Sequence, residues 1–390
     1  MWRIDRRTFL QSAAAGGAAC AAGLLAWQPW RNRAIPGRIV GASHEAGHIL
    51  RDPAFKAEPT EHLDVGVLIV GSGIAGLSAA RQLEKSGVRD FMIVDLEKDA
   101  GGNAVSGANH VSAYPWGAHY LPLPNKETVH VRELLEELGV ITGYDRAGLP
   151  VFDELHLCAE PDERLHIHGR WQDGLVPSVG LSSEDRRQFD EFFALVKKLR
   201  SARGRDGRPA FAIPLDLSSR DETYTSYDAI TMSELMRKNG WSSEKLNWYV
   251  DYCCRDDYGT TAAQTSAWAG LHYFAGRRGL AANADSETVL TWPSGNGWLV
   301  EKLRARVNDR LRLSTMAIKV RMTGDGALAD TLDVRTKTVT RVRARTLIWA
   351  APRFLAARVI ENGPKDDGFT YAPWMVANLT LKDAPPEVTA

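Results

Sequence analysis

Three glycines, Gly71, Gly73 and Gly76, stand between an apolar run and an amphipathic stretch, and this junction restricts the chain more than any other feature. Val65 to Val70 reads VGVLIV and is bounded by a glycine turn, the pattern of a strand buried on both faces. Gly71 permits the tight turn out of that strand. Gly73 lets the backbone approach a pyrophosphate, and Gly76 lets the next helix pack close to the strand. Ser72 and Ala75 lie in the same loop and are read with them as cofactor-binding. A helix is expected from about Ile74 through Leu83, stopping near Gly87. Its first N–H groups and its dipole would face the phosphates. A second buried strand, Phe91 to Val94, ends in Asp95, 19 residues past Gly76. A carboxylate there can accept hydrogen bonds from ribose hydroxyls. Strand, glycines, helix, strand and acid in this order point to an ADP-type dinucleotide site. The glycines alone would also fit a turn that binds nothing, and the fingerprint does not separate NAD from FAD.

Asp95 is followed by five residues and then Gly101-Gly102. The stretch Val65–Gly102 thereby resembles the glutathione-reductase-type FAD fold in its flavin amine oxidase branch, and a looser resemblance runs on to about Lys382. The resemblance implies FAD as cofactor, with Asp95 on the adenosine ribose and Gly101 and Gly102 close to the pyrophosphate. Asp95 stands where that family usually has Glu, and Asn103 where it usually has Arg. The same resemblance implies that Trp116, Gly117 and Ala118 run past the flavin ring, Gly117 allowing close backbone approach. His119 or Tyr120 would then face the substrate; a proline-bounded turn with a packed histidine is the alternative. Ala317 matches a position giving backbone contacts to adenine. Ala350 to Pro352 matches a turn beside the flavin. Six residues beyond that proline the amine oxidases carry a lysine, and here the position holds Arg358. Arginine is bulkier and does not deprotonate, which speaks against assuming simple amine oxidation. His119, Tyr120 and Arg358 are the catalytic candidates. Relatives continue to a Gly-Asp element and a helix pointing at the flavin. No such element follows Pro352, so a chain incomplete at its C-terminus is expected, and loss of that helix dipole alone would weaken flavin binding up to about thirtyfold.

The 390 residues carry 48 basic and 48 acidic side chains. Charge therefore gives no reason to expect a nucleic-acid partner. Apolar content of 44% supplies a full core. The N-terminus is read apart from the fold. Arg6-Arg7-Thr8-Phe9-Leu10 is a twin-arginine motif, and an Ala- and Gly-rich stretch follows to Ala26. This is an export signal over residues 1–30, addressed to the twin-arginine export machinery and to a periplasmic or exported location. Membrane association through an uncleaved signal is the alternative. Cys20 sits in a poor lipoprotein site, since Gly17 stands where Leu is expected. Cys158, Cys253 and Cys254 are too few for a disulfide framework and read as core residues. His44-Glu45-Ala46-Gly47-His48 has the spacing of a zinc helix. Gly47 weakens that helix and no third ligand is evident, so no metal is expected.

Beyond the loop, helices are expected over Val129–Leu138, after a Ser182/Asp185 capping box, after Thr231 with Glu234, over Ser243–Cys254 and over Ala262–Ala275. Phe189, Phe192, Phe193, Val196 and Leu199 make a core stripe. The chain then returns through a helix at Trp298–Val307, a strand at Leu311–Val320, strands near Thr331–Arg335 and Thr338–Val342, and a run from Arg345 to Trp349. Phe369–Leu381 reads as the start of a strand pair, with Tyr371 and Trp374 as cavity aromatics. The fold class expected is α/β, an FAD-binding doubly wound parallel sheet with a β-meander and an inserted helical and mixed substrate domain. Residues 31–63 would be a surface leader, 64–125 and 295–360 the FAD-binding domain, and 126–294 and 361–390 the substrate domain. The expected function is hydride transfer from an amine or another C–H substrate, a small molecule, to flavin N5, with an amine or amino-acid oxidase as the first choice. The alternatives are a desaturase or dehydrogenase on an apolar substrate and a non-catalytic nucleotide-binding remnant.

Overall fold

The computed structural model describes residues 37–52, 55, 57–158, 163–364 and 368–383. The chain divides into two compact units, 1–44 and 45–390. The twin-arginine motif and Cys20 lie outside the described residues. Among the described residues no helix is long and apolar enough to cross a membrane.

The second unit opens with β1 (Glu61–Val70), α1 (Ile74–Lys85) and β2 (Phe91–Val94). Three short strands follow, β3 (Ser106–Ala108), β4 (Ala113–Pro115) and β5 (Tyr120–Pro122), then β6 (Leu157–Cys158). A helical layer contains α2 (Ser183–Ser201), α3 (Met232–Lys238), α4 (Glu244–Tyr258) and α5 (Ala267–Ala275). The chain returns through β7 (Val289–Thr291), α6 (Gly297–Arg304), β8 (Leu311–Arg312), β9 (Thr315–Thr323), β10 (Gly326–Asp333), β11 (Val339–Trp349) and α7 (Arg353–Val359).

The main sheet has six strands in the order β8-β2-β1-β11-β10-β9. The first four are parallel, and β11, β10 and β9 form an antiparallel meander. Side chains of the central strands alternate between two apolar layers. Ile69, Phe91 and Ile93 pack against Leu77 and Ala80 of α1 and Val300 and Leu303 of α6. Leu68, Val70, Met92 and Val94 pack against Ala317, Val320, Ala329 and Val342 of the meander. Burial on both faces is why VLIV and FMIV are unbroken apolar runs rather than alternating ones. Each fully buried Leu or Ile here contributes roughly 1.5–3 kcal/mol.

The helical layer has its own core of Phe189, Phe192, Val196, Met232, Leu246 and Leu271. Its helices start where local chemistry directs. Both expected capping boxes form, Ser182 with Asp185 and Thr231 with Glu234. The helix expected from Ala262 begins only at Ala267. The Ser266 side chain accepts from the Ala269 N–H, and the Ala262 N–H is held by Asp251. A local cap and a tertiary anchor thus outweigh the apolar run before them. A three-stranded antiparallel sheet, β5-β7-β6, joins this layer to the loops beside the main sheet.

Several strand readings change: β1 starts at Glu61, inside the expected surface leader, and the strand expected near Thr331–Arg335 is β10, Gly326–Asp333. Leu311–Val320 is two strands, because Ser314 adopts φ 53° and donates its N–H to Glu97 O at 2.9 Å. That kink takes the chain from pairing with β2 to starting the meander. The runs read at Thr338–Val342 and Arg345–Trp349 are one strand, β11, held on both sides by β1 and β10. Phe369–Leu381 forms no strand. No backbone hydrogen bond joins it to another segment among the described residues. Tyr371 and Trp374, expected to line a cavity, are 53% and 63% exposed. A strand requires a ladder partner, which apolar patterning cannot supply by itself.

Candidate dinucleotide site and adjoining cleft

The carboxyl edge of the parallel sheet collects most of the expected cofactor residues. Gly73 caps α1 with φ −66° and ψ −179° and offers no side-chain acceptor. The first-turn N–H groups are therefore left for an anion. Ile74 and Ala75 are exposed, so this end of the helix is open.

The three glycines differ in what requires them. A Cβ on Gly76 would stand 1.9 Å from Gly71 O, and one on Gly71 would stand 2.8 Å from Ala350 O. Both are demanded by the protein itself. A Cβ on Gly73 would meet nothing nearer than Gly102 Cα at 3.9 Å. Its backbone angles are also ordinary, so the space above Gly73 is free for a ligand. Gly101 and Gly102 lie alongside this loop: Gly101 bridges Gly73, and its N–H donates to Ser72 O at 3.0 Å.

Asp95 is engaged differently from expectation. Its Oδ2 accepts from the Ser72 N–H at 2.6 Å and the Ser72 hydroxyl at 2.7 Å. Its Oδ1 accepts from the Glu97 N–H at 2.8 Å. The carboxylate, one methylene shorter than Glu, braces the glycine loop directly. Ser72 is wholly buried. With its N–H, hydroxyl and carbonyl all spent on Asp95 and Gly101, Ser72 supports the loop and keeps no free group for a ligand. Ala317 belongs to the same corner: Thr315, two residues earlier, donates its N–H to Asp95 O at 2.7 Å. The pairing of β9 shifts register between Ala317 and Lys319. Ala350 follows β11 and donates its N–H to Val70 O at 2.8 Å, and Pro352 beyond it is exposed.

From Gly102 the chain passes to a second cluster. Asn103 O accepts the Ala118 N–H at 3.1 Å and lies 2.7 Å from where a Gly117 Cβ would stand. Asn103 thus already accounts for the glycine at 117. Trp116 donates its N–H to Val105 O at 3.1 Å. His119 is exposed, with Nδ1 3.1 Å from Gly117 O and its ring 4.9 Å from that of Tyr120. A cavity of about 480 Å³ adjoins, lined by Asn109, Tyr114 and Trp116 on one side and residues 378–383 on the other. Arg358 is exposed on α7, whose buried residues are Ala356 and Val359. No hydrogen bond or ion pair links Arg358 to His119 or Tyr120, so the structure does not join the three catalytic candidates.

Two residues that sequence reasoning missed complete this cluster. Asn296 donates its backbone N–H to Ala118 O at 3.0 Å and its side-chain amide to Tyr120 O at 3.1 Å. Its Oδ1 is buried without a partner among the described residues. Arg277 donates to the Tyr120 hydroxyl at 3.3 Å. Ser294-Gly295-Asn296-Gly297, a run of turn-forming residues before α6, was the available signal for Asn296; a lone Arg beside a helix end gave none. Asp256, on α4 nearby, has its carboxyl pushed up by burial and by Asp257, against the pull of Arg277 and His119.

The other titratable candidates are the His44–His48 pair and the cysteines. His44–His48 is one five-residue helix. Among the described residues no group of three or more His, Cys, Asp or Glu is placed to hold a metal. Burial pushes the Cys253 thiol up to about 12 and Cys254 up to about 11, as for unreactive core thiols.

A parallel sheet with a glycine loop at its carboxyl edge, a meander on one face and an inserted helical layer is the α/β fold of the FAD-dependent amine oxidases. The family described as NAD(P)-binding Rossmann-like domain matches residues 69–138. The chain is 23% identical over 307 residues to flavin-containing amine oxidase B of Bos taurus, covering 76% of this chain and 52% of that one. Among solved structures, putrescine oxidase bound to putrescine superposes with a TM-score of 0.57 at 17% identity, over 78% of this chain and 62% of that one. A fatty acid isomerase from P. acnes superposes with a TM-score of 0.53 at 18% identity, over 78% and 62%. The chain spans about half the length of the curated relatives it matches.

Proposed function

We propose that the chain is an FAD-dependent oxidoreductase acting on an amine or another C–H substrate. The observation that carries this reading is the open space at Gly73, beside an uncapped helix start and the Gly101-Gly102 backbone. The protein itself requires Gly71 and Gly76, but only an approaching ligand requires Gly73. Phosphate-bearing ligands fit such a start, where N–H groups and the helix dipole favour negative charge. Gly73, Ala75, Gly101 and Gly102 would hold the pyrophosphate of FAD. Asp95 and Ala317 would border its adenosine. Trp116 to Tyr120 would lie toward its reacting end. When bound, FAD would supply the acceptor for a hydride leaving a substrate carbon. This chain's own residues would hold the substrate at Tyr120 and exclude water. The similarity to amine oxidases favours amines, while Arg358 in place of a lysine and the similarity to a fatty acid isomerase keep an apolar substrate as the second reading. Export through the twin-arginine pathway to the periplasm, with the signal cleaved or kept as an anchor, is part of the proposal and rests on residues 1–30.

The test is the visible spectrum of the purified protein, as isolated and after addition of FAD. The two-band absorption of an oxidised flavin, retained through gel filtration, is expected. A colourless protein that takes up no FAD would sink the oxidase reading.

A further inference from the structure

We propose that the segment ahead of β1 is a clasp on the nucleotide site. Leu50 and Leu96 are positioning residues that hold Asp95 and the glycine loop in place, and docking of the clasp and binding of the nucleotide strengthen one another. The inference rests on the dinucleotide reading of the glycine loop and extends that site to residues acting through Asp95.

The meander creates the need for a cover. Met316 of β9, Leu332 of β10 and Val339 of β11 stand opposite one another in register and form one apolar row. All three are buried, and Ile49, Leu50, Phe55 and Ala57 pack against them together with Leu96, Ile318 and Val334. The region expected to be a surface leader thus closes a core cluster. Ile49–Arg51 is a short 3-10 turn, and Thr60 ties the end of the segment to β11 by donating its N–H to Val339 O at 2.9 Å. Ile49, Leu50, Phe55 and Ala57 are themselves only half-buried. A cover held by shallow apolar contacts opens at lower cost than the sheet beneath it.

Leu96 is where this cover meets the site. It stands between two residues whose backbone is fixed. Asp95 donates its N–H to Arg312 O at 3.1 Å and accepts the Thr315 N–H at 2.7 Å, and Glu97 O accepts the Ser314 N–H at 2.9 Å. The side chain between them lies in one cluster with Ile49 and Leu50, and its Cδ2 is 3.6 Å from where a Cβ on Gly47 would stand. Asp95 in turn accepts from the Ser72 N–H and hydroxyl at 2.6 and 2.7 Å. A path of contacts therefore runs from Leu50 through Leu96 and Asp95 to the glycine loop. Leu50 also packs against the layer that holds Val70 and Val94, the last residues of the two strands from which the loop and Asp95 emerge. A nucleotide that needs Asp95 and the loop in this arrangement binds better with the clasp docked, and by linkage the bound nucleotide holds the clasp down by the same factor.

The experiment uses the FAD-free protein and ADP, the half of the cofactor this corner would take. Calorimetry measures ADP affinity, and hydrogen exchange read by mass spectrometry follows residues 45–52 with and without ADP. Leu50→Ala and Leu96→Ala should each weaken ADP by roughly fivefold or more, and ADP should slow exchange at residues 45–52 of the parent by a similar factor. The double variant should lose little more than either single one, since both break the same path. Leu50→Met should recover most of the affinity. A segment that only packs would lower the urea midpoint when truncated and leave ADP binding where it was. ADP affinity of both alanine variants within about twofold of the parent, or exchange at residues 45–52 that ADP does not change, would overturn the proposal. Should Leu50→Ala fail to fold, the exchange of the parent decides alone. A parent that binds ADP while the variants stay unmoved removes the clasp and leaves the dinucleotide reading standing, whereas a parent that binds neither ADP nor FAD removes both.

Discussion

Replacing Gly73 and Gly76 by alanine, one at a time, separates what the ligand needs from what the fold needs. At Gly73 a methyl group meets nothing within 3.9 Å, and φ −66° is open to any residue. The change should leave the unliganded protein's stability within about 1 kcal/mol of the parent, because lower backbone entropy in the unfolded chain offsets a slightly poorer helix cap. The same methyl group fills the space a pyrophosphate must enter, so FAD affinity should fall at least about tenfold, or 1.4 kcal/mol. At Gly76 the methyl group would stand 1.9 Å from Gly71 O and 3.0 Å from Gly71 C, both backbone atoms that cannot swing aside. Overpacking of this kind costs about 1–3 kcal/mol or more, and it should appear without any ligand. The assay is urea unfolding of the FAD-free proteins together with FAD titration followed by flavin fluorescence. Gly73→Ala binding FAD within twofold of the parent would refute the assignment of the approach point. Gly76→Ala unfolding at the parent's midpoint would refute the packing argument.

Three further outcomes are expected. Ser72→Ala removes one hydroxyl bond and should cost about 1 kcal/mol with FAD affinity nearly unchanged, while Asp95→Asn disturbs several N–H and O–H contacts and should cost about 1–3 kcal/mol and weaken FAD; the two unfolding midpoints and FAD titrations check this. Glu137 is held down at about 2 by its bond to Arg81, from an ordinary value of 4.5. Its contribution is complete above the ordinary value and is lost as pH falls from there toward 2. The parent should therefore lose about 1–2 kcal/mol relative to Glu137→Gln across that acid window, after allowing for solvent screening, as acid unfolding series would show. Phe192 is fully buried and edge-on to Trp241 and Phe274 at 5.6 and 5.1 Å, so Phe192→Ala should lower stability by about 3–5 kcal/mol in thermal melts.

Much of the fold was legible in the sequence because its signals are local. The glycine loop, the two buried strands and the capping boxes at Ser182 and Thr231 depend on residues within a few positions of one another. A hydrogen bond from N-cap to the third helical residue forms in any context that permits the helix. The buried runs VLIV and FMIV announce a parallel sheet because both faces must be covered. Strand limits failed where pairing decided them: the break at Ser314, the single long β11 and the unpaired Phe369–Leu381 depend on which neighbour offers a ladder.

The candidate site divides along the same line. Sequence by itself determined that a glycine loop joins the first strand to the first helix and that Asp95 follows the second strand. Only the tertiary structure decided what each residue of that loop does. It turned Asp95 onto Ser72, set Asn103 against Gly117 and left Gly73 as the glycine facing open space. It also brought Asn296 and Arg277 to Tyr120 across 176 and 157 residues of chain. Contacts at that separation carry no periodicity or spacing to read. They come from packing the helical layer, the small sheet and the main sheet together, and no local preference of Asn, Arg or Tyr encodes that arrangement.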